Sequence, residues 1–290
     1  MTAPARAVSA TAAPRRLDLR RLSRVLVYVI LIAAAIFYII PVYLLFMTGL
    51  KGFAEANNTA LMWQFPQGLN FGSFFEAWQK ISPNFMNSVY IAVPAAVLSS
   101  IVGSVNGYVL SKWRFKGSEI LFTLVLFGMF IPYQSILIPL FQTEKAFGLY
   151  GSIAGLVIVH IIYGIPITTL IFRNYYVAIP DELVEAAKVD GAGFFSIYGR
   201  ILLPLSLPGF VVVLIWQFTS AWNDFLFAVS LTKSQSWPIT VAVNNLAGSF
   251  EVAWNVQMAG ALIAALPPLL IYVLLGRYFM RGLLAGSLKG

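Results

Sequence analysis

An all-α membrane protein with six transmembrane helices is the fold class this sequence predicts, and three observations carry the prediction. The 290 residues are 59% hydrophobic and only 10% charged, whereas soluble domains carry about 25% charged residues. Six apolar runs are each long enough to cross roughly 30 Å of hydrocarbon, which takes about 20 residues. The basic residues between these runs are shared unequally between alternate segments, as the positive-inside rule requires of a multi-span chain.

The first element is a polar, Ala-rich tail, residues 1–24, with arginines at Arg6, Arg15, Arg16, Arg20, Arg21 and Arg24. The apolar run that follows, 25–50, is about twice the length of a signal-peptide core and ends without a small-residue cleavage site. It is expected to be an uncleaved first span, kinked at Pro41. Residues 25–290 then form one membrane domain, with further spans near 85–110, 120–141, 153–172, 208–231 and 258–278. Placing the N-terminus inside leaves 15 of the 19 Lys and Arg residues on the inner side; the outer loops hold Lys51, Lys80, Lys145 and Lys233. Both termini are therefore expected in the cytoplasm.

Composition also excludes several functions. The chain has no Cys and a single His, so thiol chemistry and a Cys/His metal cluster are ruled out and no metal site is expected. The net charge of +8 resides in short segments between apolar runs, where it sets topology, and so no nucleic-acid partner is expected. No GxxxxGK[ST] motif occurs, so the chain lacks a phosphate-cradling loop of its own. Two outer loops are long, 51–84 and 232–257. The aromatics, Asn58, Asn70 and Asn84 of the first, and Trp237, Trp254, Asn244 and Asn245 of the second, suit either an interfacial aromatic belt or a docking surface for a soluble partner. Gly103/Gly107 and Gly151/Gly155 have the small-xxx-small spacing that lets helices approach closely.

The stretch 179–209 is too polar to cross a bilayer, yet apolar runs flank it. Pro180 suits a helix start, Asp181 and Glu182 suit its first turn, and Glu185 and Lys188 are spaced to pair at i, i+3. Gly191 supplies the left-handed residue that ends a helix. A second short helix is expected from about 193 to 203, stopped by Pro204. The product is helix, Gly turn, helix on the cytoplasmic face: either an amphipathic cap on the bundle or a contact surface. Ala186 and Ala187 leave room there for close approach.

Glu185, Ala186, Ala187, Gly191, Ile201, Leu203 and Pro204 together spell E-A-A-x3-G-x9-I-x-L-P. At residue frequencies of roughly 5–10%, a chance match at seven positions is on the order of one in ten million per start site. The pattern resembles the EAA loop of permease subunits of binding-protein-dependent ABC importers. Asn87–Ser88, Trp222–Asn223–Asp224 and the terminal GLLAGSLKG extend the resemblance to sugar permeases of the MalG type over nearly the whole chain. FGMFIPYQSILIPL and HIIYGIPITTLIFRNYY look most similar to glucose/mannose-type permeases, with the maltose or trehalose types, which take small oligosaccharides, next.

The resemblance implies the type I ABC importer permease fold and no enzymatic activity in this chain. It also implies a cytosolic ATPase dimer that binds ATP and Mg in its place, a second, homologous permease subunit in a heterodimer, an extracytoplasmic sugar-binding protein and a sugar substrate. The ATPase contact is implied for Glu182, Glu185, Ala186, Ala187, Asp190 and Gly191, with Lys289 and Gly290 as further candidates.

Polar groups within spans are functional candidates because lipid exposure is costly. Tyr133 and Gln134 follow Pro132, which opens the backbone of the third span. His160 and Tyr163 are three residues apart on one helical face, and Asn223 and Asp224 lie toward the outside. Each suits either an interhelical hydrogen bond or a sugar pathway, where aromatic faces and amides match hydroxyls. Pro166, Pro267 and Pro268 suit kinks or packing. Glycerol-3-phosphate and other polyols remain alternative substrates, and an ion-coupled secondary transporter is a more distant alternative. The latter needs intramembrane carboxylates, and no acid falls at the middle of a predicted span.

Overall fold

The computed structural model describes residues 19–113, 115–247 and 252–287, with side chains for 23–113, 115–247 and 252–276. The chain divides into two compact units, Met1–Leu45 and Phe46–Gly290. Helix α1 (Leu19–Gly49) starts within the segment assigned to the tail and runs through Pro41. Its Val25, Leu26, Ile30, Ile36, Phe37 and Ile39 are exposed. Such an all-round apolar surface needs lipid or protein around it.

The rest is helical, with no strand among the described residues. In order come α2 (Phe53–Ala56), α3 (Gly72–Lys112), α4 (Ser118–Phe127), α5 (Tyr133–Ala146), α6 (Ile153–Val177) and α7 (Asp181–Val189). They are followed by α8 (Phe194–Ile197), a π-helical turn (Tyr198–Leu202), α9 (Leu203–Leu205), α10 (Leu207–Asn223), α11 (Leu226–Leu231), α12 (Ile239–Asn245) and α13 (Trp254–Ser287). Four helices are long and apolar enough to cross a membrane by themselves, and two bent pairs raise the number to as many as six.

The α3–α6 pair is the centre of the fold, and its closeness is set by glycine. A Cβ on Gly103 would lie 2.1 Å from Thr168 Oγ1, and one on Gly107 would lie 2.7 Å from the Arg173 backbone nitrogen. Gly151, by contrast, precedes α6 with φ +83°, so Gly151 and Gly155 do not form a helix-packing face. A second layer joins Ile81, Ala92 and Ala95 of α3 to Phe218 and Trp222 of α10 and to Ile239 and Ala242 of α12. The Trp222 indole donates to the Ala264 carbonyl oxygen of α13 at 3.0 Å.

Several predicted boundaries are corrected. The second span was expected to begin near 85, but α3 begins at Gly72 and has 41 residues, roughly 60 Å of helix. Pro83 and Pro94 lie inside it. Ala77 and Ile81 are fully buried, and this packing holds the first turns helical through Lys80, Pro83 and Asn84. The third span is not continuous. It breaks at Ile131–Pro132 into two helices bent by 97°. The segment 194–223 also bends, by 77° between Leu205 and Leu207. The break is at Ser206, so Pro204, expected to end the helix, instead sits in the first turn of α9. Asp224, extended at ψ 131°, ends α10 within the predicted fifth span. The predicted C-terminal contacts at Lys289 and Gly290 lie outside the described residues.

The loop 232–239, expected on the outer side, is pinned to α3. Asn84 Nδ2 and Asn87 Nδ2 donate to the Trp237 carbonyl oxygen at 2.8 and 3.0 Å, and the Ile239 N–H donates to Ser88 Oγ at 2.8 Å. Trp237 packs against the cluster that contains Leu156, Phe227 and Leu231, which gives this aromatic a structural role. Lys51, counted as an outer topology charge, is buried and donates to the carbonyl oxygens of Leu61 and Met62 at 2.6 and 3.1 Å.

Candidate functional site

The breaks at Pro132 and Asp224 face a common space. A cavity of about 470 Å³ is lined by Tyr133, His160, Tyr163, Trp216, Ser220, Asn223, Asp224 and Phe227, among others. Its size falls in the range of about 300–1,000 Å³ found for small-molecule sites. Of the residues singled out from sequence, Tyr133, His160, Tyr163, Asn223 and Asp224 line it. Gln134 does not; its side chain is exposed on α5.

Phe227 forms the aromatic wall, with the rings of Tyr163 and Tyr133 at 5.0 and 5.5 Å and the imidazole of His160 edge-on at 6.2 Å. Asp224 is held by the start of α11: the N–H groups of Phe227 and Ala228 donate to its carboxylate oxygens at 3.3 and 3.0 Å. Its Oδ2 lies 3.5 Å from His160 Nε2, a buried nitrogen with no hydrogen bond. Gln217 Nε2 donates to the His160 carbonyl oxygen at 2.9 Å. Only a glycine at 164 permits this, since a Cβ there would lie 2.4 Å from the same nitrogen.

Trp216, Gln217, Ser220 and Phe227 were not anticipated. A signal for the polar members existed: Gln217, Ser220 and Asp224 recur at i, i+3 and i+7, one helical face. The ring of Phe227 gave no such sign, because an apolar residue in an apolar run is indistinguishable from packing. No group of three or more His, Asp or Glu among the described residues is arranged to hold a metal ion.

The polar segment after α6 forms a second feature. Helix α7 ends in a Schellman turn: the Ala192 N–H donates to the Ala187 carbonyl oxygen at 2.9 Å and the Gly191 N–H to that of Lys188 at 3.0 Å, with Gly191 at φ +81°. Lys112, buried at the end of α3, pairs with Asp181 and donates to the Ile179 carbonyl oxygen at 2.6 Å. Lys188 lies 4.4 Å above the Trp113 ring, so the expected Glu185–Lys188 pair does not form. Val184 and Ala187 are buried in the cluster with Tyr108, Phe172, Tyr176 and Ile197. The opposite face carries Glu182, Glu185, Ala186 and Val189 at helical spacing, all exposed. Val189 and Phe195 are 87% and 83% exposed. The carboxylates of Glu182, Glu185 and Asp190 have no hydrogen bond or ion pair among the described residues.

Below this surface a chain of hydroxyls joins four elements. Ser104 Oγ of α3 lies 2.6 Å from the Tyr176 hydroxyl of α6 and 2.9 Å from that of Tyr198 in the π turn. Tyr176 also reaches Ser206 Oγ, at the 77° bend, at 3.2 Å.

Residues 99–284 match the family described as the inner membrane component of binding-protein-dependent transport systems. The match spans both the cavity and the polar segment. The chain belongs to this family. It is 47% identical over 277 residues to a probable ABC transporter permease protein of Pyrococcus horikoshii, covering 94% of this chain and all of that one. It is 34% identical to a xylose/arabinose import permease of Haloferax volcanii, covering 90% and 92% of the two chains. Identity to a glucose import system permease of Saccharolobus solfataricus is 32%, covering 91% and 95%. A bacterial ABC transporter that imports the acidic polysaccharide alginate shares the fold, with a TM-score of 0.77 at 21% identity, over 92% of this chain and all of that one. This family member is a multi-pass inner-membrane protein and a transport component rather than an enzyme.

Proposed function

We propose that this chain is one half of the membrane channel of an ABC sugar importer, coupled through α7 to a separate ATPase. The observation that carries the coupling is the outward face of α7: three carboxylates without partners among the described residues, beside exposed Val189 and Phe195, on a helix whose other face is firmly packed. Exposed apolar side chains beside uncompensated charge mark a surface made for another protein. Glu182, Glu185, Ala186, Asp190 and the turn at Gly191 are then the contact, while Ala187 holds the helix to the core behind them.

Membership of the family supports the remaining parts of this reading. A homologous second permease completes the channel, ATP and Mg bind on a cytosolic ATPase dimer, and an extracytoplasmic binding protein delivers the sugar. Closure of the ATPases draws the coupling helices together and shifts the spans between inward-open and outward-open states. That shift requires ATP to bind the two states with different affinity. The cavity under Phe227 is the proposed substrate passage. Relatives that import xylose, arabinose and glucose support a small neutral sugar. The alginate importer of the same fold leaves the charge of the solute open at the level of the fold.

Co-purification tests the coupling. A tagged chain expressed with its genomic neighbours is expected to retain an ATP-hydrolysing subunit. Glu185→Arg or Gly191→Pro is expected to lose it while keeping the membrane partner. Unchanged ATPase recovery would reduce the segment to an interfacial cap.

A further inference from the structure

We propose that Asp224 sets a charge rule for the cavity, admitting uncharged, hydroxyl-rich solutes and rejecting anions such as sugar phosphates and uronates. The inference deepens the reading of this cavity as the substrate passage and rests on it. Asp224 is the one carboxylate among the lining residues, and neither Lys nor Arg is among them. Two backbone N–H groups fix the orientation of the carboxylate, so it cannot swing away from an incoming charge without breaking them.

The same group serves a neutral sugar well. A carboxylate accepts from sugar hydroxyls in charge-assisted hydrogen bonds, which are about twice as strong as neutral ones. The unbonded Nε2 of His160, 3.5 Å away, offers a second polar contact. The rings of Tyr133, Tyr163 and Phe227 present flat apolar faces to the C–H side of a pyranose. An anion finds the reverse. Its repulsion from Asp224 at ~7 Å and an effective dielectric constant near 20 amounts to roughly 10- to 100-fold in occupancy, and no lining Lys or Arg offsets it.

The absence of cysteine from the chain permits a direct test that does not depend on knowing the sugar. Ser220→Cys and, separately, Asn223→Cys place a reporter thiol on the cavity wall. The full transporter in nanodiscs, at pH 8, is treated with anionic sulfonatoethyl or neutral hydroxyethyl methanethiosulfonate. Modification of this chain is read by intact mass and normalised to each reagent's rate with a free thiol.

The expected result is that the anionic reagent reacts at least about 10-fold more slowly than the neutral one. Adding Asp224→Asn, which keeps an oxygen for one of the two α11 N–H groups, should bring the two within about 3-fold. Equal rates in the parent, or a gap that Asp224→Asn leaves intact, would overturn the charge rule. So would failure of both reporters to react with the neutral reagent, since the cavity would then admit no solute. Protection by xylose, glucose or maltose separates the two claims. Charge discrimination without protection by any of these sugars would leave Asp224's effect standing and defeat the cavity's role as the sugar passage.

Discussion

Gly103 and Gly107 fix how near α3 comes to α6, because the atoms opposite them stand where a Cβ would be. Gly103→Leu is expected to cost about 1–3 kcal/mol or more through overpacking. It should appear as a lower melting temperature in detergent and less protein in the membrane; an unchanged melting curve would show that the two helices can separate freely. Lys112 is a second decisive residue. Its ammonium is buried and bonded to Asp181 and to the Ile179 carbonyl oxygen, so it joins the end of α3 to the start of α7. Lys112→Met leaves that buried carbonyl without its charged donor, at an expected cost of about 1–3 kcal/mol. ATPase recovery in the co-purification assay should fall with it, and full recovery with normal stability would assign Lys112 to topology alone. In the sequence Lys112 is one positive charge among many on the inner side. Its contact with Asp181, 69 positions away, was not legible there, because no local pattern records a long-range partner.

Among the elements, the polar helix–glycine turn at 180–191 was the most legible. Pro180, the acids after it and Gly191 are local backbone chemistry, and α7 occupies the residues they indicate. The second short helix was less legible. The π turn at Tyr198–Leu202 and the bend at Ser206 depend on hydroxyl partners in α3 and α6. Under the proposed coupling through α7, the chain Ser206–Tyr176–Ser104–Tyr198 would carry movement of α7 and α8 into the spans. Tyr176→Phe removes two of its contacts, at an expected cost of about 1–3 kcal/mol. In reconstituted complexes the variant should still bind the ATPase but lose much of the stimulation of hydrolysis by the loaded binding protein. Stimulation at the parental level would make the network purely structural. The broken third span has a similar history. Pro132 announces a disturbance, but its magnitude of 97° follows from the packing of α5 residues Leu137, Leu140 and Phe141 onto the cluster with Leu156, Phe227 and Leu231.

For the whole molecule, the distribution of Lys and Arg predicts that Lys80 lies outside and Lys116 inside. A membrane-impermeant thiol reagent is expected to label Lys80→Cys in intact cells and Lys116→Cys only after lysis, against a background free of native cysteine in this chain. The opposite pattern would invert the topology and move α7 away from any cytosolic ATPase. The buried Glu144 at the end of α5, neither of whose oxygens has a hydrogen-bond partner among the described residues, is a carboxylate that a search of span centres overlooks.

By itself, the sequence determined that the chain is a helical membrane protein, where its apolar runs lie, and that a helix–glycine–helix segment stands between two of them. Hydrophobicity, proline and glycine act through near neighbours, so these features are written locally. Only the tertiary structure decided that α3 reaches back to Gly72, that the runs at 120–141 and 208–231 are broken, and that Trp216, Gln217 and Phe227 join Asp224 around one cavity. Each of those outcomes depends on a side chain finding its partner tens of residues away, and burial against that partner overrides the local preference.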